Sequence, residues 1–95
     1  MQIMKASRRI TSLHDPRYRK LIASLVKTRK RIGITQLEIA DALELGQPDI
    51  SKVERFERRL DILEFLGWLK VFSSKDKILP SKICTEIYEG FCRSK

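Results

Sequence analysis

The chain has 95 residues, with 20 Lys and Arg against 12 Asp and Glu, which gives a formal net charge of +8. For this length we expect one small domain and no second one, because domains typically run from about 50 to 250 residues. A 42% apolar share supplies a core, and charges of both signs argue against a self-repelling disordered chain. No run reaches the roughly 18 apolar residues of a membrane span, and no secretion signal is evident, so we expect a soluble, cytoplasmic protein.

The positive charge is concentrated in the first third of the chain. Residues 1–33 carry ten basic groups and one acid, residues 34–67 carry four and eight, and residues 68–95 carry six and three. A segregated basic field acts at long range and favours a polyanionic partner, either nucleic acid or an anionic membrane surface. A solvated charged face is the alternative that charge alone leaves open.

The first elements are an arm and a long helix. Residues 1–14 show no sustained hydrophobic period, which predicts a flexible N-terminal arm. Asp15 followed by Pro16 predicts a helix start, because the carboxylate accepts backbone N–H bonds and Pro suits the first helical position. The helix is expected to end near Arg31, with a left-handed cap at Gly33. The spacing predicts a buried stripe of Tyr18, Leu21, Ile22, Leu25 and Val26.

Two short helices follow. Thr35 and Glu38 form a predicted capping box, so the second helix begins at Gln36 and ends near Leu43. After a turn of three residues, Pro48 in a first turn predicts the start of the third helix. The apolar residues expected on the inner sides of these two helices are Leu37, Ile39, Ala40, Leu43, Ile50 and Val53.

The last two helices are predicted from a second capping pattern and a second proline. Asp61 and Glu64 repeat the capping logic and start helix four, and Pro80 introduces helix five, expected over about residues 80–92. The expected inner residues are Ile62, Phe65, Leu66 and Leu69 in helix four, flanked by Trp68 and Phe72, and Cys84, Ile87, Tyr88 and Phe91 in helix five. No segment alternates with period two, which predicts an all-α fold of about five helices.

The chain offers little for catalysis or for a cofactor. Cys84 and Cys92 lie eight residues apart in a predicted helix, about 12 Å at 1.5 Å per residue, which is too far for a disulfide. We interpret both as small apolar groups of a core or an interface. His14 is the single histidine, so a zinc site is unsupported, and a phosphate loop and a nucleophile elbow are both missing. We therefore expect no enzyme activity, no metal and no cofactor.

The second and third helices match a known motif. Two short helices joined by a three-residue turn, with the small Ala40 where they cross, predict a helix-turn-helix. Residues 29–72 resemble the Xre/Cro-type family of bacterial and phage repressors, through the lead-in 29–36, the scaffold helix 37–43, the recognition helix 47–55 and the segment 57–65.

This resemblance implies a compact five-helix, phage-repressor-like DNA-binding domain over residues 15–95, with the helix-turn-helix at about 35–55. Two residues depart from the family pattern, which usually has glycine where this chain has Glu44, and often where it has Phe56.

The resemblance also implies which residues contact DNA. Base contacts are expected from the exposed start of the recognition helix, where Gln suits adenine, Lys suits guanine, Asp suits cytosine and Pro can touch a thymine methyl; the candidates are Gln47, Pro48, Asp49, Ser51 and Lys52. Phosphate contacts are expected from Arg29, Gln36, Arg55, Arg58 and Arg59.

Each of these roles has a structural alternative. Gln36 and Asp49 could serve only as helix-start residues, and Arg58 and Arg59 could pair with Glu54, Glu57 or Asp61. The aromatic residues of the last two helices are interpreted as core or dimer interface rather than as a base-stacking platform; they are Trp68, Phe72, Tyr88 and Phe91.

The sequence thus predicts a transcriptional regulator that binds double-stranded DNA sequence-specifically, in the form of a repressor on a palindromic operator. The family's habit and the apolar fifth helix predict a homodimer. Two alternatives remain: an antitoxin that holds a toxin on helices four and five while it regulates its own gene, and a controller protein of a restriction–modification system.

Overall fold

A computed structural model describes residues 12–93, and this part of the chain is all-α. A 3₁₀ turn at Ser12–His14 precedes five α-helices, and none of the described residues forms a strand. The helices are α1 (Pro16–Arg31), α2 (Gln36–Leu43), α3 (Gln47–Glu54), α4 (Ile62–Ser73) and α5 (Leu79–Arg93). The predicted class and number of helices are confirmed. Most of the predicted arm lies outside the described residues, but its last three residues form the 3₁₀ turn.

The helix starts follow the predicted capping chemistry. Asp15 accepts the backbone N–H of Arg17 at 2.8 Å, and the side-chain bond from Arg17 lowers the pKa of its carboxyl to about 2. The predicted boxes are present at Thr35 with Glu38 and at Asp61 with Glu64. Each box satisfies backbone N–H groups that the first helical turn leaves without an intrahelical partner.

Among residues 12–93, two residues with a Cβ adopt the left-handed conformation, and they are the two departures from the glycine pattern of the family that the sequence resembles. Glu44 has φ 58° and Phe56 has φ 63°, beside Gly33 with φ 80°. This conformation costs a residue with a Cβ about 1 kcal/mol or more. Phe56 lies beyond the end of α3 and packs half-buried against the core, with the Arg19 guanidinium 4.6 Å from its ring centroid.

One core joins all five helices. Trp68 and Phe72 of α4 are fully buried at its centre, with ring centroids 6.1 Å apart in an edge-to-face arrangement. Gly67 lets α4 approach α2, because a Cβ there would collide with the side chain of Leu43. The remaining buried apolar residues are Ile22, Leu25, Ile34, Ile39, Ala40, Ile50, Val53, Leu69, Leu79 and Ile83.

The predicted inner faces of the later helices are partly wrong. In α4, Ile62 and Leu66 are 65% and 52% exposed, while the flanking Trp68 and Phe72 occupy the core instead. The fully buried face is therefore turned by roughly a quarter of the helix circumference relative to the predicted stripe. Leu37 of α2, also predicted to face inward, is exposed.

In α5 the buried stripe is also a different one. Leu79 and Ile83 are buried, whereas three of the four predicted residues are exposed: Cys84, Tyr88 and Phe91. Both cysteines are exposed free thiols, so their interpretation as core groups is wrong. The physical reason is that α4 and α5 each carry apolar residues on more than one side, and the neighbouring helices cover only one of them.

Candidate nucleic-acid interface

The helix pair α2 and α3 positions the candidate site. The Glu44–Gly46 turn joins the two helices, and Ala40 of α2 is fully buried together with Ile50 and Val53 of α3. Since these small and β-branched side chains face inward, the opposite side of α3 faces solvent. The inward orientation of Ile50 and Val53 is the predicted one.

The outer side of α3 gathers most of the predicted base-contact residues. A shallow surface depression is lined by Gln47, Pro48, Ser51, Lys52 and Arg55. Four of these five residues were predicted base contacts, and the fifth was a predicted phosphate contact. Helical spacing explains the arrangement, because residues four apart lie on one side of a helix. We call this surface the α3 face.

Asp49 does not line the α3 face. Its carboxylate accepts the backbone N–H of Gly46 at 3.1 Å and thereby caps the first turn of α3. The side chain is half-buried in that position. The structure therefore gives Asp49 the helix-start role that was the alternative to a base contact.

Arg55 extends the α3 face at its C-terminal end. Its guanidinium donates to the hydroxyl of Ser51 and, at 3.2 and 3.1 Å, to the carboxylate of Glu57. The hydrogen bonds from Arg55 to Glu57 lower the pKa of the Glu57 carboxyl. More than half of both side chains is exposed, so this ion pair is screened by water and can exchange for another anion.

A polar network, buried at the Arg29–Glu54 pair, reaches the same surface from behind. The Arg29 guanidinium donates to both carboxylate oxygens of Glu54, at 2.7 and 3.0 Å, and to the carbonyl of Ile34 at 2.8 Å. The Gln36 amide donates to Glu54 at 2.8 Å, and the Gln47 amide donates to the Gln36 side-chain oxygen at 3.3 Å. The network thus links α1, α2 and both ends of α3.

This network changes the interpretation of Arg29. Its side chain is only 8% exposed, and its partner Glu54 is 9% exposed. A phosphate group has no access to a guanidinium that is buried and bonded to a carboxylate, so the prediction of a phosphate contact at Arg29 is not supported. A buried bidentate pair of this kind fixes geometry more than it adds stability.

Two further arginines of the α3–α4 loop, Arg58 and Arg59, have different environments. Arg58 forms a bidentate pair with Glu64, with both N–O distances at 2.9 Å, and its hydrogen bond lowers the pKa of the Glu64 carboxyl. Its partner is thus Glu64, rather than the acids suggested by the sequence. Arg59 is exposed. Of the two, Arg59 is the arginine with the open position that a phosphate contact needs.

Glu54 and Tyr18 organise the site, although sequence reasoning did not assign them a part in it. Glu54 joins Arg29 to Gln36, while the Tyr18 hydroxyl accepts the backbone N–H of Leu60 at 3.0 Å and ties the α3–α4 loop to α1. Burial raises the pKa of Tyr18. No local signal marks these contacts, because the partners lie 18 to 42 residues apart in sequence.

Within residues 12–93, no group of three or more His, Cys, Asp or Glu is arranged to hold a metal ion. None of the helices in the same part of the chain is long and apolar enough to cross a membrane. A scan of the chain against protein-family models matches no family, and a search of curated proteins finds no match.

Proposed function

We propose that this protein is a transcriptional regulator that binds double-stranded DNA sequence-specifically, as a homodimer on a palindromic operator, and acts as a repressor. The observation that carries the proposal is the α3 face, where Gln47, Ser51 and Lys52 lie together on the exposed side of a helix that is packed on α2. A helix with its polar side chains presented in this way suits the major groove. The resemblance of residues 29–72 to Xre/Cro-type repressors supports the same function.

In the proposed complex, α3 enters the major groove with its N-terminal residues at the base edges. Gln47 is suited to the N6 and N7 atoms of adenine, and Lys52 is suited to O6 and N7 of guanine. Pro48 and Ser51, on the same face, are suited to a thymine methyl and to a polar base edge. Arg55 and Arg59 would contact phosphates, and the exposed Lys30 and Arg31 at the end of α1 would add positive charge.

The network behind the α3 face would position Gln47 for this contact. Gln47 is bonded to Gln36, and Gln36 is bonded to the carboxylate that Arg29 holds. Ordering a long polar side chain on binding costs free energy, and a side chain that is already held avoids part of that cost. Arg29 therefore serves DNA binding indirectly, through the position of Gln47. Repression would follow from occupancy, since a dimer on an operator obstructs the polymerase.

The experiment is selection of bound sequences from a random duplex pool. We expect enrichment of an inverted repeat whose half-sites lie about one helical turn apart, roughly 34 Å. The double variant Gln47→Ala, Lys52→Ala should lose the enrichment, and Lys75→Ala, which removes an exposed charge beyond α4, should retain it. If the wild-type protein enriches no sequence, the proposal of sequence-specific binding is wrong.

A further inference from the structure

The outer face of α5 carries no charge over about three helical turns. Six exposed residues share this face at 3.6 residues per turn: Ser81, Cys84, Thr85, Tyr88, Phe91 and Cys92. Tyr88 is 67% exposed and Phe91 is 51% exposed, although the Arg17 guanidinium lies over the Phe91 ring, 4.9 Å from its centroid. We call these six residues the α5 face.

Side-chain size changes along the α5 face. Its first half contains the small residues Ser81, Cys84 and Thr85, and its second half contains the large rings of Tyr88 and Phe91. If two such faces met in parallel, ring would oppose ring and small residue would oppose small residue. In an antiparallel pair the rings of one copy cover the small residues of the other, which is the interdigitation that close packing requires.

The charges that border the α5 face fit the same arrangement. Lys82 and Glu89 are exposed and project from the same edge of the helix. They are equally distant from the point between Thr85 and Glu86. We consider a two-fold axis that passes through that point, perpendicular to the plane of two antiparallel α5 helices. This axis places Lys82 of each copy at the same height as Glu89 of the other copy, and on the same edge of the helix pair. Two opposite charges therefore meet on each side of the axis, as in the charged flanks of paired helices.

We propose that the α5 face is a homodimer interface, in which α5 packs antiparallel against α5 of a second copy, with the two-fold axis between Thr85 and Glu86. Tyr88 of each copy covers Cys84 of the other, and Lys82 pairs with Glu89 across the interface. This inference deepens the homodimer of the proposed function by naming its surface. A standard interface buries about 800 Å² of surface per partner, and three helical turns bury less than that. We therefore expect a dissociation constant on the order of micromolar.

A second exposed apolar surface provides the matched control. Ile62, Leu63 and Leu66 of α4 are all more than half exposed, so this surface has side chains as apolar as those of the α5 face. The exposed Lys70 lies on the same side of α4. No pair of opposite charges flanks these residues symmetrically, so nothing about α4 specifies pairing with itself.

Sedimentation equilibrium without DNA tests the interface. Tyr88→Lys should weaken the dimer by about 30-fold or more, because it places a charge where a ring is expected to be buried. Leu63→Lys should leave the dissociation constant unchanged, and circular dichroism should show that both variants keep the helical content of the wild type. The proposal is wrong if the wild-type protein is still monomeric at a protein concentration about 100-fold above the expected micromolar dissociation constant. It is also wrong if Leu63→Lys dissociates the dimer and Tyr88→Lys does not.

Charge reversal tests the register. Lys82→Glu and Glu89→Lys should each weaken the dimer by about fivefold, since each places like charges together, and the double variant should restore the wild-type constant. If the double variant loses as much dimerisation free energy as the two single variants lose together, Lys82 and Glu89 do not meet.

The native cysteines give an independent test. In the proposed register the two Cys84 residues lie about 4–5 Å apart along the helix axes, whereas the two Cys92 residues lie about 20 Å apart. A bismaleimide with a short spacer should therefore link the Cys92→Ser variant into a dimer and leave the Cys84→Ser variant unlinked. The opposite result would exclude this register. Because none of these three tests includes DNA, failure of the interface is distinguishable from failure of operator selection.

Discussion

The α3 face and the α5 face are both exposed, but they differ in charge and in how the protein holds them. The α3 face is polar; its Gln47 is bonded to the Gln36 amide of α2, and its Arg55 pairs with Glu57 in the loop that follows α3. The α5 face is neutral and includes two largely exposed aromatic rings. A polar surface held from behind suits a polar ligand, whereas a neutral surface with exposed rings is stabilised by being covered.

The largest expected effect breaks the support behind the α3 face. Glu54→Gln should lower the free energy of unfolding by about 3 kcal/mol or more, because it leaves the buried guanidinium of Arg29 without its carboxylate. Urea unfolding measures this change. The double variant Arg29→Met, Glu54→Leu should recover part of the loss, since it removes both buried charges. An unchanged unfolding midpoint for Glu54→Gln would show that the pair does not support the fold.

The next effect concerns the reading of bases by the α3 face. Lys52→Ala should cost about 1 to 3 kcal/mol of binding free energy on the selected operator and relax the preference at one base pair. Fluorescence anisotropy on operator and scrambled duplexes provides the comparison. An unchanged ratio of the two affinities would mean that Lys52 does not read a base. Neither affinity nor ratio should change in Lys70→Ala, which alters an exposed lysine of α4.

A smaller effect tests the turn that orients α3 on α2. Glu44→Gly should raise the free energy of unfolding by about 1 kcal/mol, because glycine adopts the φ of 58° without the strain of a Cβ. Phe56→Gly gives the matched comparison at φ 63°, but it also removes a ring that packs on the core. Thermal unfolding should therefore separate the two variants, with only the first one stabilised. Equal stabilisation would mean that the Phe56 ring contributes nothing.

The smallest effect distinguishes contacts with phosphate from contacts with bases. Arg59→Ala should weaken binding to all sequences alike and reduce the slope of log affinity against log salt by about 0.9. Titrations at several salt concentrations measure the slope. Arg58→Ala is the informative neighbour, because it also breaks the pair with Glu64 and should lower stability. A slope for Arg59→Ala equal to that of the wild type would place Arg59 away from the phosphates.

Sequence alone determined the features that depend on near neighbours. The bounds of α1, α2 and α3 and the caps at Asp15, Thr35 and Asp61 were all predicted, and the structure confirms them. Each of these features depends on residues within four positions of each other, so the signal is complete in a short stretch of sequence.

Tertiary structure decided which apolar and charged groups are buried. Cys84 and Tyr88 fit an apolar stripe as well as Leu79 and Ile83 do, and only the position of α5 on the other helices selects the second pair for the core. Likewise, Arg29 is one of many basic residues in the first third of the chain until Glu54, 25 residues later, fixes it inside. Periodicity shows that a helix has an apolar side, but burial depends on neighbours that are distant in sequence.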